Sequence, residues 1–85
     1  MATAVANFKL LILDAEKKIF EGEVSSLFIQ GDTGEYELLA YHYPVLGLLK
    51  QGQIIIDWKY FIEVRKGIIK FFKNDCVIIV ELEHN

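Results

Sequence analysis

The chain has 85 residues, of which 53% are hydrophobic, a formal net charge of −3 and a single cysteine. So short a chain forms one domain with a modest core, since it buries roughly 60–65% of the surface that it exposes when unfolded. The acidic balance argues against a nucleic-acid module, the single thiol excludes an internal disulfide and fits a reducing compartment, and no apolar run is long enough for a membrane helix.

Residues 1–7 are interpreted as a flexible N-terminus, because they lack the charged region and the long apolar core of a secretory signal. Residues 8–85 are predicted to form the domain. No window favours an amphipathic helix, and the apolar residues come in short runs broken by Gly, Asp and Asn. The predicted strands are Phe8–Leu13, Lys18–Val24, Ser25–Gln30, Glu35–Ala40, Val45–Lys50, Gln53–Trp58, Lys59–Lys66, Gly67–Lys73 and Cys76–Glu83.

The predicted connections are short. Turns are expected at Asp14–Lys17, Gln51–Gly52 and Asn74–Asp75, and a glycine loop at Gly31–Gly34. Gly22 lies inside the second predicted strand and suggests a bulge. This spacing predicts an all-β fold, a flattened β-sandwich or barrel of about nine to ten short, mainly antiparallel strands.

Residues that could carry chemistry are few and scattered. Zinc sites use clusters of three or four ligands, whereas this chain has Cys76 and two histidines, His42 and His84, without ligand spacing. Cys76 opens an apolar strand and is interpreted as a core residue. Glu35 and Glu37 share one strand face, where solvated carboxylates are expected rather than an acid–base pair. We therefore predict no catalytic residue, metal or cofactor.

The stretch GDTGEYELLAYHYP, residues 31–44, concentrates the features that remain. Its two glycines lack the lysine and the following helix of a phosphate-binding loop. It holds the only proline of the chain, and three of the four tyrosines, which can bury a ring while the hydroxyl stays hydrogen-bonded. These residues favour a protein-interaction module; a small-ligand-binding module and an enzyme remain as alternatives.

An ordered set of motifs in this chain resembles the N-terminal domain of the epsilon subunit of F-type ATP synthases. That family shows a strand and a turn, I-F-x-G-x-V, a further strand, the loop G-x-x-G-E-x-G-x-L-P-x-H-x-P, and a K-x-G turn. The matching residues here are Ile19, Phe20, Gly22, Val24, Gly31, Gly34, Glu35, Leu39, His42, Pro44, Lys50 and Gly52. The chain departs from the pattern at Glu37, where the family has glycine, and at Ala40, where it has proline.

The resemblance implies a β-sandwich that is a non-catalytic central-stalk (rotor) subunit, docks the gamma subunit onto the c-ring and helps couple ion translocation to ATP synthesis. It implies c-ring polar loops as partners of Glu35 and Tyr36. It implies gamma contacts for a second set of residues, which are Asp14, Tyr41, His42, Tyr43 and Val45.

The implied location is peripheral, on the cytoplasmic face of a bacterial inner membrane or the equivalent face of an organelle membrane, and membrane association is expected only through the complex. The two helices that follow the sandwich in the family are absent from these 85 residues, so neither their inhibition of hydrolysis nor their binding of ATP is expected here. A stand-alone interaction or small-ligand-binding β-sandwich is the alternative.

Overall fold

A computed structural model describes residues 6–83, whose regular structure is entirely β-strand. Residues 1–5 of the predicted N-terminal segment, together with His84 and Asn85, lie outside the described residues. The strands are β1 (Phe8–Leu13), β2 (Lys18–Val24), β3 (Ser26–Gly31), β4 (Gly34–Leu39), β5 (Val45–Leu49), β6 (Gly52–Ile56), β7 (Tyr60–Phe72) and β8 (Asp75–Leu82).

The strands form one continuous sheet that folds over into two layers, called sheet I and sheet II here; the layers share β7 and are also joined where Gly31 of β3 pairs with Leu49 of β5. Sheet I has the order β2-β1-β8-β7-β5 and uses the C-terminal half of β7, residues 66–72. Sheet II has the order β4-β3-β6-β7 and uses the N-terminal half, residues 60–64. Pairing is antiparallel except between β1 and β8, which run parallel. The sheet does not close into an even barrel, so the predicted flattened sandwich is confirmed.

The core lies between the two sheets and follows the period-two alternation of the strands. Phe8, Leu10 and Ile12 point inward from sheet I, and Leu27 and Ile29 do so from sheet II. Ring packing adds to simple burial, since Phe8 meets the edge of Phe71 at a centroid distance of 5.2 Å. The space between the sheets is therefore filled by side chains.

The structure has eight strands where the sequence predicts nine, because Lys59–Lys66 and Gly67–Lys73 form one strand, β7. The pairing of β7 with β8 shifts register between Val64 and Lys66, so the strand bulges there and passes from sheet II to sheet I. The prediction treated Gly67 as a strand break, and this was wrong. A Cβ at Gly67 would lie 2.8 Å from the carbonyl oxygen of Ile79, so glycine allows close approach of two strands.

The bulge predicted at Gly22 is also misplaced. Gly22 pairs regularly with Leu10, whereas the register between β1 and β2 shifts between Ile12 and Leu13. The extra residue is Ile19, which is thereby brought against the core beside Phe20. Burial of two consecutive apolar side chains, rather than glycine flexibility, sets the position of this bulge.

The turns form largely as predicted. At Asp14 the carboxylate accepts hydrogen bonds from the backbone N–H groups of Glu16 and Lys17, at 2.8 and 2.9 Å. The β7–β8 turn lies one residue earlier than predicted, at Lys73 and Asn74, whose φ angles of 49° and 60° fit the two-residue hairpin turn that favours asparagine.

We expect Gly67→Ala to lower the free energy of unfolding by about 1–3 kcal/mol, because the added methyl meets backbone that cannot rotate away. Gly47→Ala is the matched control, since a Cβ there meets nothing within 4 Å and strand glycine is unfavourable relative to alanine by about 0.5–1 kcal/mol. Urea unfolding followed by circular dichroism measures both. Equal midpoints for the two variants would contradict this account of Gly67.

Candidate interaction surfaces

The predicted c-ring residues lie together on the β3–β4 hairpin. Glu35 is exposed near the start of β4, opposite Gln30. The Tyr36 hydroxyl is hydrogen-bonded to the Thr33 hydroxyl at 2.5 Å, and its ring occupies the space that a side chain at Gly31 would need. The hairpin tip therefore presents a carboxylate on one face and, on the other, a tyrosine that is fixed by local contacts.

Glu37, where the resembled pattern has glycine, lies in regular β4 backbone opposite Phe28 and is not among the residues with positive φ. The departure therefore costs no backbone strain. Its carboxylate instead accepts a hydrogen bond from the indole N–H of Trp58 at 2.9 Å, which joins β4 to the β6–β7 turn.

The loop between β4 and β5 exposes two of the predicted gamma-contact tyrosines. Tyr41 and Tyr43 are 79% and 84% exposed. Tyr41 has a φ of 66°, and its N–H donates to the side-chain oxygen of Asn74 at 2.6 Å. His42 is half-buried; its Nδ1 donates to the Tyr43 carbonyl at 2.8 Å, and its ring lies edge-on to Phe71. The histidine supports the loop, and the tyrosines project from it.

Of the other two predicted gamma-contact residues, Asp14 lies apart from this loop and Val45 faces inward. Asp14 is in the β1–β2 turn, near the end of β5 that is remote from Tyr43. Val45 packs against the core opposite Phe71, and its neighbour Leu46 points outward with 80% of its side chain exposed. The structure thus places the predicted gamma set at opposite ends of sheet I.

Between those ends lies a broad apolar surface that the sequence reasoning did not assign. The register of sheet I brings outward-facing residues of β1, β8, β7 and β5 side by side. We call this surface the sheet I face. Its members are Leu11, Leu13, Leu46, Leu48, Ile68, Val77 and Ile79.

Charged residues border the sheet I face, and one, Lys70, lies within it between Leu46 and Val77. Lys18 pairs with Glu21 at 2.5 Å on one side, and Glu81 meets Arg65 at 3.1 Å and Lys66 at 3.6 Å on another. An apolar centre with a charged rim is the usual anatomy of a protein interface. The sequence signal is present but easily missed: the runs in β5, β7 and β8 are apolar at consecutive positions, as in strands covered on both faces.

Sheet II carries a second feature that the sequence reasoning missed, at the turn between β6 and β7. Asp57 and Trp58 both have left-handed backbone, with φ angles of 53° and 56°, which costs roughly 1–2 kcal/mol for each L-residue. The Asp57 carboxylate accepts three hydrogen bonds, from the N–H and hydroxyl of Ser25 and the N–H of Ser26, at 2.7–3.0 Å. These bonds hold the strained turn in place.

Partial burial by itself raises the pKa of Asp57. The N–H groups of Ser26 and Ser25, the Ser25 hydroxyl and the nearby Lys59 charge outweigh that effect, and the net pKa lies below its ordinary value of 3.8. The folded protein therefore favours the ionised carboxylate.

Cys76 is fully buried, as the sequence predicts. Burial, with a smaller contribution from Asp75, raises the pKa of its thiol to about 12. Such a thiol is not a nucleophile at neutral pH. Within residues 6–83, no three His, Cys, Asp or Glu side chains converge on a common point, and no helix is long and apolar enough to cross a membrane.

Comparison with known proteins identifies the fold and the family. Residues 7–82 match the family described as "ATP synthase, Delta/Epsilon chain, beta-sandwich domain". The chain belongs to this family. Among curated relatives it is similar to the ATP synthase epsilon chain of Protochlamydia amoebophila, with 32% identity over 78 residues, and to that of Nitratiruptor sp., with 35% over 79. The alignments cover 87% and 88% of this chain but 53% and 61% of the relatives, so the chain spans little more than half of their length.

Solved structures agree on the sandwich. The domain superposes on a chain of the Tetrahymena thermophila mitochondrial ATP synthase central stalk and c-ring with a TM-score of 0.75 and 13% identity. A chain of the Euglena gracilis mitochondrial ATP synthase gives 0.78 and 16%. Each match covers 93% of this chain, and 66% and 53% of those chains. At these low sequence identities, the structural likeness establishes the fold alone. The sequence match identifies this chain as an epsilon-type N-terminal domain.

We expect Asp57→Ala to lower the free energy of unfolding by about 2 kcal/mol, because three donors lose a half-buried acceptor. The stabilisation from ionised Asp57 is complete above pH 3.8 and is lost as the pH falls through the lower pKa of the folded state. The urea midpoints of wild type and Asp57→Asn, measured from roughly pH 2 to pH 7, should therefore differ at neutral pH and converge in acid. The exposed Asp32→Asn is the control, and convergence for that variant alone would contradict the role of Asp57.

Proposed function

We propose that this domain is a non-catalytic part of the central stalk of an F-type ATP synthase, where it docks the gamma subunit onto the c-ring and helps couple ion translocation to ATP synthesis. Membership of the epsilon-type family supports the assignment to the complex. The sheet I face is the observation that carries the docking role, because a monomeric domain rarely exposes a large contiguous apolar patch, and here four aliphatic side chains are exposed beside three that are half-buried.

The gamma subunit is the proposed occupant of the sheet I face. The two ends of sheet I that border this face carry residues that the family resemblance links to gamma, with Tyr41 and Tyr43 at one end and Asp14 at the other. Asp14 lines a concave region together with Leu48, Ile68 and Ile79. A partner that spans the face from one end to the other would touch both groups. Burial of this surface would supply the affinity, at roughly 25 cal/mol per Å² of apolar area before the costs of association.

The β3–β4 hairpin is the proposed c-ring contact. Glu35 is exposed there on the outer side of sheet II, and Tyr36 on the other face of β4 lies next to β5, since Gly31, Thr33 and Tyr36 line one concavity with Leu46. The proposed c-ring and gamma contacts are thus adjacent on one domain. A rim carboxylate of this kind aligns and steers a partner rather than supplying most of the affinity.

This role implies a peripheral location at the membrane face that carries the catalytic head, with membrane association through the complex alone. No cofactor or metal is required, since the domain transmits force through contacts. The alternative of an enclosed small-ligand site is less well supported, because the interior between the sheets is packed with apolar side chains.

Removal of aliphatic side chains from the sheet I face should weaken gamma binding. We expect Leu48→Ala and Ile68→Ala each to cost about 1 kcal/mol or more in binding free energy, because each side chain is half exposed in the free domain and buried in the complex. Calorimetric titration with the gamma subunit of the same organism measures this. Ile55→Ala on sheet II is the control, and equal losses for all three variants would place the interface elsewhere.

The tyrosines of the β4–β5 loop and the carboxylate of the β3–β4 hairpin should contribute differently to gamma binding. Tyr41→Ala or Tyr43→Ala is expected to weaken gamma binding by about 2 kcal/mol, since an aromatic anchor loses its whole contact area. Glu35→Ala is expected to change it by roughly 0–1 kcal/mol, as is usual for an exposed charge. The same titration compares them, and negligible effects from both tyrosines would move the gamma interface off the β4–β5 loop.

A further inference from the structure

The outer side of sheet II carries a mixed aromatic and acidic surface. The register across β3, β6 and β7 aligns Phe28, Ile55 and Phe61 in one outward row, and the Trp58 ring lies 5.4 Å from that of Phe28. Trp58 and Phe61 remain 55% and 58% exposed. We call these four residues, together with Glu35, Glu37 and Glu63, the Trp58 face.

The structure holds Trp58 in its exposed position. Asp57 fixes the turn through its three hydrogen bonds, and the Trp58 indole N–H is anchored to Glu37. The left-handed backbone of a bulky residue is uncommon, and residues held in such a conformation concentrate at sites with a function. The indole plane is thus positioned in advance, with a carboxylate beside it.

The charge of the Trp58 face is of one sign. Three outward-facing carboxylates, Glu35, Glu37 and Glu63, lie on the described strands of sheet II, whose outward positions carry no lysine or arginine. The nearest cation in sequence is Lys59, whose ammonium lies over the Tyr60 ring at 5.3 Å. An indole face next to a carboxylate is a favourable site for a cationic side chain, through cation–π attraction and a charge-assisted hydrogen bond.

We infer that the Trp58 face is a further docking surface, which binds a polypeptide segment that presents an arginine or lysine to Trp58 and Glu37 and apolar side chains to Phe28, Ile55 and Phe61. The site is independent of the proposed gamma contact, because the sheet I face lies on the opposite side of the core. The domain can therefore bind this segment and the gamma subunit at once, whereas Glu35 at the edge of the Trp58 face is shared with the proposed c-ring contact.

Charge excludes the other kinds of occupant. A nucleic acid or an anionic membrane would be repelled by the three carboxylates. A second copy of the domain in a two-fold arrangement would place the same acidic surface against itself. A basic amphipathic segment is complementary to this surface in both charge and hydrophobicity.

The test uses the single tryptophan of the chain as its reporter. The probe is a synthetic helical peptide of alanine and leucine with two arginines on one face, and the control peptide has glutamine in place of each arginine. We expect saturable quenching of Trp58 fluorescence by the arginine peptide and about tenfold weaker binding of the glutamine peptide at low salt. In the chain, Glu37→Gln should weaken binding about fivefold or more.

Matched variants decide the location of the binding. Glu23→Gln removes an exposed strand carboxylate from the outer side of sheet I and should leave the affinity unchanged. Phe61→Ser, confirmed as folded by circular dichroism, should weaken binding in calorimetry. The inference is overturned if the arginine peptide gives no saturable signal, if both peptides bind equally, if Glu23→Gln weakens binding as much as Glu37→Gln does, or if Ile68→Ala abolishes it.

Discussion

The whole domain depends on one strand that belongs to two sheets. β7 runs for thirteen residues, pairs with β6 in its first half and with β5 and β8 in its second, and changes sheet at the bulge between Val64 and Lys66. Gly67 permits this crossing because the backbone of Ile79 occupies the space of a side chain. Since both sheets are hydrogen-bonded to the same strand, its path constrains their separation and relative orientation, together with the short pairing of β3 with β5.

That shared strand also determines where the two exposed surfaces lie. Its C-terminal half contributes Ile68 to the sheet I face, and its N-terminal half contributes Phe61 to the Trp58 face. The bulge restores the inward direction of Gly67 and Ile69 after one extra residue, so the core stays continuous. The outward residues change from Phe61 and Glu63 to Ile68, Lys70 and Phe72. A single strand thus presents chemically different surfaces on opposite sides of the core.

Local signals predicted most of the fold. Alternation and apolar runs placed seven of the eight strands to within one or two residues and covered β7 as two strands, and Asp14 and Asn74 marked real turns because their side chains favour such backbone. The failures arose where tertiary packing outweighs local preference, as at Gly67, which lies inside a strand, and at Ile19, which forms the bulge assigned to Gly22. The aromatic loop was recognised from its composition. The sheet I face and Trp58 were missed because both depend on register between distant strands and on a turn held by Ser25, 32 residues away in the sequence.

The parallel pairing of β1 with β8 has a consequence for how the domain is made in the cell. The strand nearest the N-terminus finds its central neighbour only at residues 75–79, so sheet I is incomplete until β8 has been synthesised. Until β8 leaves the ribosome, β1 and β2 form an isolated hairpin, which is marginally stable at best. The aliphatic surface of sheet I is therefore completed late, since only its β5–β7 part can pair before β8 joins β7 to β1. Synthesis and assembly are in this way ordered by topology, since contacts between distant parts of a chain form slowly and late.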